Sequence, residues 1–198
     1  MTSIKKSDRL QCELGEIKAS GLNPRMLLHT CCAPCSAHVL DLLRDVFKLT
    51  LYFYDPNIHP REEYEKRRDE MRAYAEKSSI DFVEGPYDVK RWFEMTAGHG
   101  DEKEGGGRCF VCYEMRLREA ASFARYGGFD YFATVLSISP HKKAEKINEI
   151  GISLAKEYGI RFLEADFKKK DGFKKSIALT KEHGLYRQDY CGCLYSRR

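Results

Sequence analysis

Seven of the eight cysteines in this chain stand in three tight groups: Cys31-Cys32-Ala33-Pro34-Cys35, Cys109-Phe110-Val111-Cys112 and Cys191-Gly192-Cys193. A Cys-x-x-Cys spacing lets two thiolates reach one soft metal ion or one edge of a cluster. Three such groups, far apart in the chain, share a site only if the fold brings three distant segments together. Seven thiolates also exceed the four that one zinc or one cubane cluster takes. The surplus points to a cubane with a second centre beside it. Cys12 stands alone in a polar stretch and belongs to no group.

Two simpler readings fit less well. Structural disulfides belong to secreted chains, and MTSIKKSDRLQCELGEIKAS has no apolar core of a secretory signal. The expected location is therefore cytoplasmic. With 11 Phe and 12 Tyr, 198 residues can bury a core without covalent staples. A structural zinc is the stronger rival, but seven cysteines with wide gaps do not match a compact ribbon or knuckle. No stretch approaches the ~20 apolar residues of a membrane helix.

The net charge of +4 is unevenly placed. The segment 161–198 carries ten Lys or Arg against five Asp or Glu, a net of +5, which leaves −1 for the first 160 residues. Lys168-Lys169-Lys170, Lys174-Lys175 and Arg197-Arg198 make the C-terminal end a candidate polyanion-facing surface.

Periodicity gives the fold class. Residues 1–24 read as a short helix or arm, and 25–198 as a single α/β metallo-domain that includes the Cys-x-Cys tail. Strands are expected at 25–30, 48–54, 80–84, 131–138 and 160–165. Helices are expected at 36–47, 62–77, 87–95, 108–125, 141–158 and 173–183. The segment 96–107, rich in glycine and acid, reads as a loop or lid. Met26, Met71, Met95 and Met115 read as core. Alternating strands and helices predict a mostly parallel open sheet flanked by helices in three layers. Sites in such sheets lie beyond the carboxyl ends of the strands. The first cysteine group, Asp55–Pro60 and Ser137–Lys142 all follow strands, so the site is expected on that edge.

The chain resembles the QueH family of epoxyqueuosine reductases from about Arg25 to Ser196. The residues that carry the resemblance are HTCCAPC at 29–35, YFYDPNIHP at 52–60, EYEKRR at 63–68, RCFVCYEMRL at 108–117, LSISPHK at 136–142 and LYRQDYCGC at 185–193. The resemblance implies a nucleotide α-hydrolase-like (HUP or PP-loop-like) fold. It also implies a [4Fe-4S] cluster beside a mononuclear iron, and removal of the epoxide oxygen of epoxyqueuosine at a tRNA wobble position. The implied metal ligands are Cys31, Cys32, Cys35, Cys109, Cys112, Cys191 and Cys193, with Asp189 as a hard oxygen ligand. Cys109 and Cys112 are assigned to the cluster, with Cys32 and one C-terminal cysteine completing it and the rest holding the iron. Asp189, Tyr190 and His59 are candidates for catalysis. Asn57, Arg116, Ser137, Ser139 and Lys142 are candidates for substrate binding, Arg116 either on phosphate or paired with Glu119. His29 reads as a core residue of its strand.

There is no G-x-G-x-x-G after a strand and no Walker loop, so flavin, NAD and ATP sites are unsupported. Electrons are then expected from an external ferredoxin- or flavodoxin-like donor. An iron–sulfur tRNA-thiolating enzyme of similar fold, which would depend on ATP, and a zinc-stabilised RNA-binding domain remain as alternatives.

Overall fold

A computed structural model describes residues 6–197; residues 1–5 of the expected arm and Arg198 of the basic tail lie outside them. The sheet has five strands, all parallel: β1 (Arg25–Thr30), β2 (Lys48–Phe53), β3 (Asp81–Glu84), β4 (Tyr131–Thr134) and β5 (Arg161–Phe162), in the order β3-β2-β1-β4-β5. β1 is central, and from Met26 to Thr30 every residue is buried. That explains why RMLLHT reads as a continuous apolar run rather than an alternating one.

The helices are α1 (Lys6–Ala19), α2 (Ala33–Leu43), α3 (Arg61–Lys77), α4 (Val89–Met95), α5 (Gly107–Tyr126), α6 (Ala144–Tyr158) and α7 (Gly172–Glu182). The chain winds outward from β1 through α2 and α3, then crosses back to β4 through α4 and α5. Right-handed crossovers therefore put the two sets of helices on opposite faces. The packing agrees: α2 touches α3 and α7, while α5 touches α6. Leu10 and Leu14 of α1 are buried with the core. No described helix is long and apolar enough to cross a membrane.

Two strands are shorter than their apolar runs. β4 stops at Thr134, because its ladder with β1 ends at His29↔Thr134. The Thr134 hydroxyl then takes the Leu136 N–H at 3.2 Å and turns Val135–Ile138 into a single 3-10 turn. β-propensity describes fit to a ladder, and here there is no partner strand to continue it. β5 ends at Phe162, and the Asn148 side chain substitutes for a strand at Ala165. It accepts the Ala165 N–H (3.2 Å) and donates to its carbonyl (3.1 Å). The helix expected from residue 141 begins at Ala144, since the Lys142 N–H bonds the Ser139 carbonyl at 3.3 Å in a turn. Met95 is 39 % exposed at the end of α4, not core; Met26, Met71 and Met115 are buried.

His29 is in the core, as its strand position suggests. Its Nε2 lies 3.2 Å from the Tyr54 carbonyl and its Nδ1 lies 2.8 Å from Thr134 Oγ1. A carbonyl only accepts, so Nε2 carries the proton and Nδ1 accepts from the Thr134 hydroxyl. Burial and the nearby Arg116 charge hold the imidazole well below its usual range, so it is neutral. One threonine thus ties β1 to β4 and shapes the turn after β4.

The C-terminal segment is pinned by a residue of the opposite kind. Arg67 on α3 is only 1 % exposed. Its Nε donates to Glu63 at 2.6 Å, and its two terminal nitrogens donate to the carbonyls of Cys191 (3.1 Å) and Tyr190 (3.3 Å). Between Cys191 and Cys193, Gly192 has φ +107, and a Cβ there would lie 2.7 Å from Ile58. Only glycine allows this turn to sit against α3 and the Asp55–Pro60 loop.

Two outcomes follow. Thr134→Val should lower the unfolding free energy by about 1–3 kcal/mol in urea titration, because His29 Nδ1 and the Leu136 N–H are left buried without partners. Arg67→Met should leave the sheet folded but release the tail. Tryptic cleavage after Arg187 should accelerate by roughly tenfold or more, because charged hydrogen bonds worth about 1.5–3 kcal/mol each are removed.

Candidate metal centre

The first cysteine group sits where β1 ends and α2 begins. Cys32 occupies the N-cap with extended backbone and makes no side-chain cap, so its thiol is free to face its neighbours. Pro34, without an N–H, is tolerated in the first turn. The Sγ atoms of Cys31, Cys32 and Cys35 all lie within 4.8 Å of one another. Gln188, from the C-terminal segment, donates to Cys32 Sγ at 2.9 Å.

The other two groups meet across a narrow inner cavity. Cys109 and Cys112 lie in the first turns of α5, three residues apart and so on one face. Both line this cavity together with Cys191 and Cys193. An outer cavity of about 320 Å³ is bordered by Cys31, Cys35 and Cys191, together with Ser139, Asp189 and Tyr190. Glu104, Lys142 and Cys191 border both cavities, which therefore adjoin. The whole arrangement lies past the carboxyl ends of β1 and β4, where the strand order reverses, as the geometry of parallel sheets predicts.

Burial and mutual hydrogen bonding hold the first thiol group protonated when no metal is bound. Each of Cys31, Cys32 and Cys35 is pushed up to about 12. For Cys31 and Cys35 the main cause is a hydrogen bond with a neighbouring thiol; for Cys32 it is burial. Three thiols crowded in the interior ionise together only when a metal neutralises them, and a coordinating thiol is deprotonated outright. Cys191 is the exception. A hydrogen bond from Cys193, aided by the Lys142 ammonium, holds it well below the usual thiol range. Beneath the thiols lies a buried ion pair, Arg116 with Asp55. Burial still raises the Asp55 carboxyl to about 6, against the pull of Arg116, Arg67 and Lys142. Asp55 Oδ2 and Asn57 Oδ1 are buried without a hydrogen-bond partner among the described residues. Soft thiol donors in two sets, with unpaired polar atoms beside them, fit metal centres better than an apolar ligand.

The candidate residues named from the sequence separate into three kinds. Cys31, Cys32, Cys35, Cys109, Cys112, Cys191, Cys193, Asn57, Ser139, Lys142, Asp189 and Tyr190 line the paired cavities or complete the first thiol group. Asp189 is exposed on the outer rim, and the close thiol group consists of the three cysteines alone. Cys32 Sγ lies with those of Cys31 and Cys35. Arg116 is paired with Asp55 rather than Glu119, is 2 % exposed, and borders the inner cavity instead of the outer surface. Ser137 is buried and accepts the Phe167 N–H at 3.3 Å, so it does not border the outer cavity. The His59 ring packs against Trp92 and Phe93, with centroids 5.2 and 5.1 Å away. Its carbonyl accepts the Tyr190 hydroxyl at 2.5 Å, so both residues clamp the tail to the loop after β2.

Three residues that border or support the site escaped the sequence reading. Asp55 lies inside the YFYDPNIHP motif without a visible partner. Glu104 sits in the glycine-rich segment read as a loop. Arg67 had a usable signal: it falls on the buried stripe with Tyr64, Met71 and Tyr74, and a cation on an apolar stripe marks a committed partner.

A family model, Epoxyqueuosine reductase QueH, matches residues 26–198. The chain is 41% identical over 176 residues to the epoxyqueuosine reductase QueH of Acinetobacter baylyi, covering 88% of this chain and 81% of that one. It is 37% identical over 198 residues to the QueH of Streptococcus pyogenes serotype M1, with 96% and 78% covered. To the QueH of Thermotoga maritima it is 36% identical over 177 residues, with 86% and 89% covered. With seven cysteines gathered at one sheet edge and a family match across nearly the whole chain, this protein belongs to the QueH family of epoxyqueuosine reductases.

Proposed function

We propose that this chain deoxygenates epoxyqueuosine at the wobble position of a tRNA, leaving the cyclopentene ring of queuosine. The observation that carries the reading is the gathering of two thiol sets around adjoining cavities, in a chain of this family. The reaction breaks both C–O bonds of the epoxide, forms a carbon–carbon double bond, takes up two electrons and two protons, and releases water. The electrons come from an external ferredoxin- or flavodoxin-like donor.

Cys109, Cys112, Cys191 and Cys193 supply the four thiolates that a [4Fe-4S] cluster takes. Cys31, Cys32 and Cys35, with Asp189 nearby on the cavity rim, suit a mononuclear iron. This division differs from the one drawn from sequence, in which Cys32 joined the α5 pair. When bound, these centres supply single electrons and a Lewis acid. The protein's own groups do the rest. Lys142 places a positive charge on the wall shared by the two thiol sets. Tyr190 and His59 fix the tail that carries Asp189 and the last two cysteines. Ser139 and Lys142 border the space open to the modified base. Basic residues around α7 face the tRNA backbone, and a splayed anticodon base enters the outer cavity.

Protein purified without oxygen should contain about four sulfides and more than four irons per chain, and should convert epoxyqueuosine tRNA when given reductant. Zinc without sulfide would sink the reading. Asp189→Ala should keep the sulfide but lose turnover, whereas Cys193→Ser should lose both. Full turnover in Asp189→Ala would remove that residue from the centre. Lys170 and Lys174 are exposed. Changing both to Gln should flatten the plot of log binding constant against log salt, by roughly one in slope for each lysine that faces a tRNA phosphate.

A further inference from the structure

The glycine-rich segment before α5 is built into the fold rather than loose. Arg108, 2 % exposed, donates to the carbonyls of His99 (2.8 Å) and Gly100 (2.9 Å). Glu102 accepts the Arg108 backbone N–H at 2.7 Å and pairs with His99 at 2.6 Å. Gly105, with φ +84, turns its N–H onto Cys109 Sγ at 3.2 Å. Only glycine takes that conformation without strain. The effect of these contacts is to fix the residue between Lys103 and Gly105.

That residue is Glu104. It borders both the outer cavity and the inner thiol chamber. Glu104 is exposed and has no hydrogen bond or ion pair among the described residues, while the segment around it is anchored to Cys109 and Arg108. Asp189 is the other carboxylate on the outer wall. It also borders a second open cavity, with Glu63, Lys66, Tyr186 and Arg197. If Asp189 serves a metal, Glu104 is the carboxylate left to meet a ligand at the boundary between open space and thiols.

The substrate class implied by the proposed function carries a matching group. Epoxyqueuosine joins its deazaguanine ring to the epoxide-bearing cyclopentane through a secondary amine, which is an ammonium at neutral pH. A carboxylate on the wall beside the thiols would hold that ammonium one bond from the cyclopentane, so that the ring extends toward Cys31, Cys35 and Cys191. We propose that Glu104 is the ammonium-binding residue of the substrate pocket and the determinant that selects aminomethyl-linked wobble bases over guanine. The inference rests on the epoxyqueuosine reading, and its test is chosen to fail independently of it.

Binding is measured without turnover, on anaerobically purified holoprotein, with two tRNAs identical except at the wobble position. One carries guanine and the other 7-aminomethyl-7-deazaguanine, which presents an ammonium at the same link. The wild-type protein should prefer the ammonium-bearing tRNA by roughly 10- to 100-fold, the range of a charge-assisted hydrogen bond. Glu104→Gln should keep its iron and sulfide and bind guanine tRNA as tightly as wild type, but lose that preference. Glu104→Asp should restore most of it. With epoxyqueuosine tRNA, Glu104→Gln should raise KM by a similar factor and change kcat far less. Equal binding of the two tRNAs by wild type, or an intact preference in Glu104→Gln, overturns the assignment. A preference that depends on Glu104, in a protein that does not deoxygenate the epoxide, would instead overturn the reductase reading and leave the ammonium site standing.

Discussion

Arg67 is a full positive charge taken out of water, and the candidate metal centre depends on where that charge is satisfied. Its guanidinium neutralises Glu63 on its own helix and donates outward to the carbonyls of Tyr190 and Cys191. The planar fork of arginine can serve a carboxylate and two carbonyls at once, which a lysine ammonium cannot do with fixed directions. Those two carbonyls belong to the turn that brings Cys191 and Cys193 to the site. The third thiol group is thus placed by a residue more than a hundred positions away, and the turn fits only because Gly192 lacks a Cβ.

A second buried pair sets the electrostatics beneath the thiols. Asp55 and Arg116 are both almost without exposure, and they join the loop after β2 to α5. Buried pairs add little net stability, but breaking one leaves an uncompensated charge in the interior. Here the pair lies under a region that concentrates negative charge once thiols ionise. Arg116, Lys142 and Arg67 together offset it. Such a site tolerates many thiolates in a small volume.

Much of this was legible in the sequence. The alternation of apolar runs and amphipathic segments gave five strands in a mostly parallel sheet and the helices between them, and it placed three post-strand segments on one edge. The three cysteine groups announced a shared centre. The shortfalls have a common physical cause. YFATVLSI has strand propensity throughout, yet it becomes a strand only as far as β1 accompanies it. Arg116 has no near neighbour in sequence that reveals Asp55, 61 residues away. The segment 96–107 looks mobile by composition, and it is held by backbone carbonyls that no pattern displays.

The sequence by itself determined the class of fold, the family and the membership of the thiol set, because periodicity, motif order and cysteine spacing are local properties. Only the tertiary structure decided which thiols stand together: Cys31, Cys32 and Cys35 in one close group, the α5 pair beside the C-terminal pair, and Cys191 on the wall of both cavities. It alone placed Glu104 at the meeting of the two cavities and withdrew Arg116 and Ser137 from the surface. Which groups meet is set by where buried charges find partners across the chain, and that is a long-range condition no stretch of sequence contains.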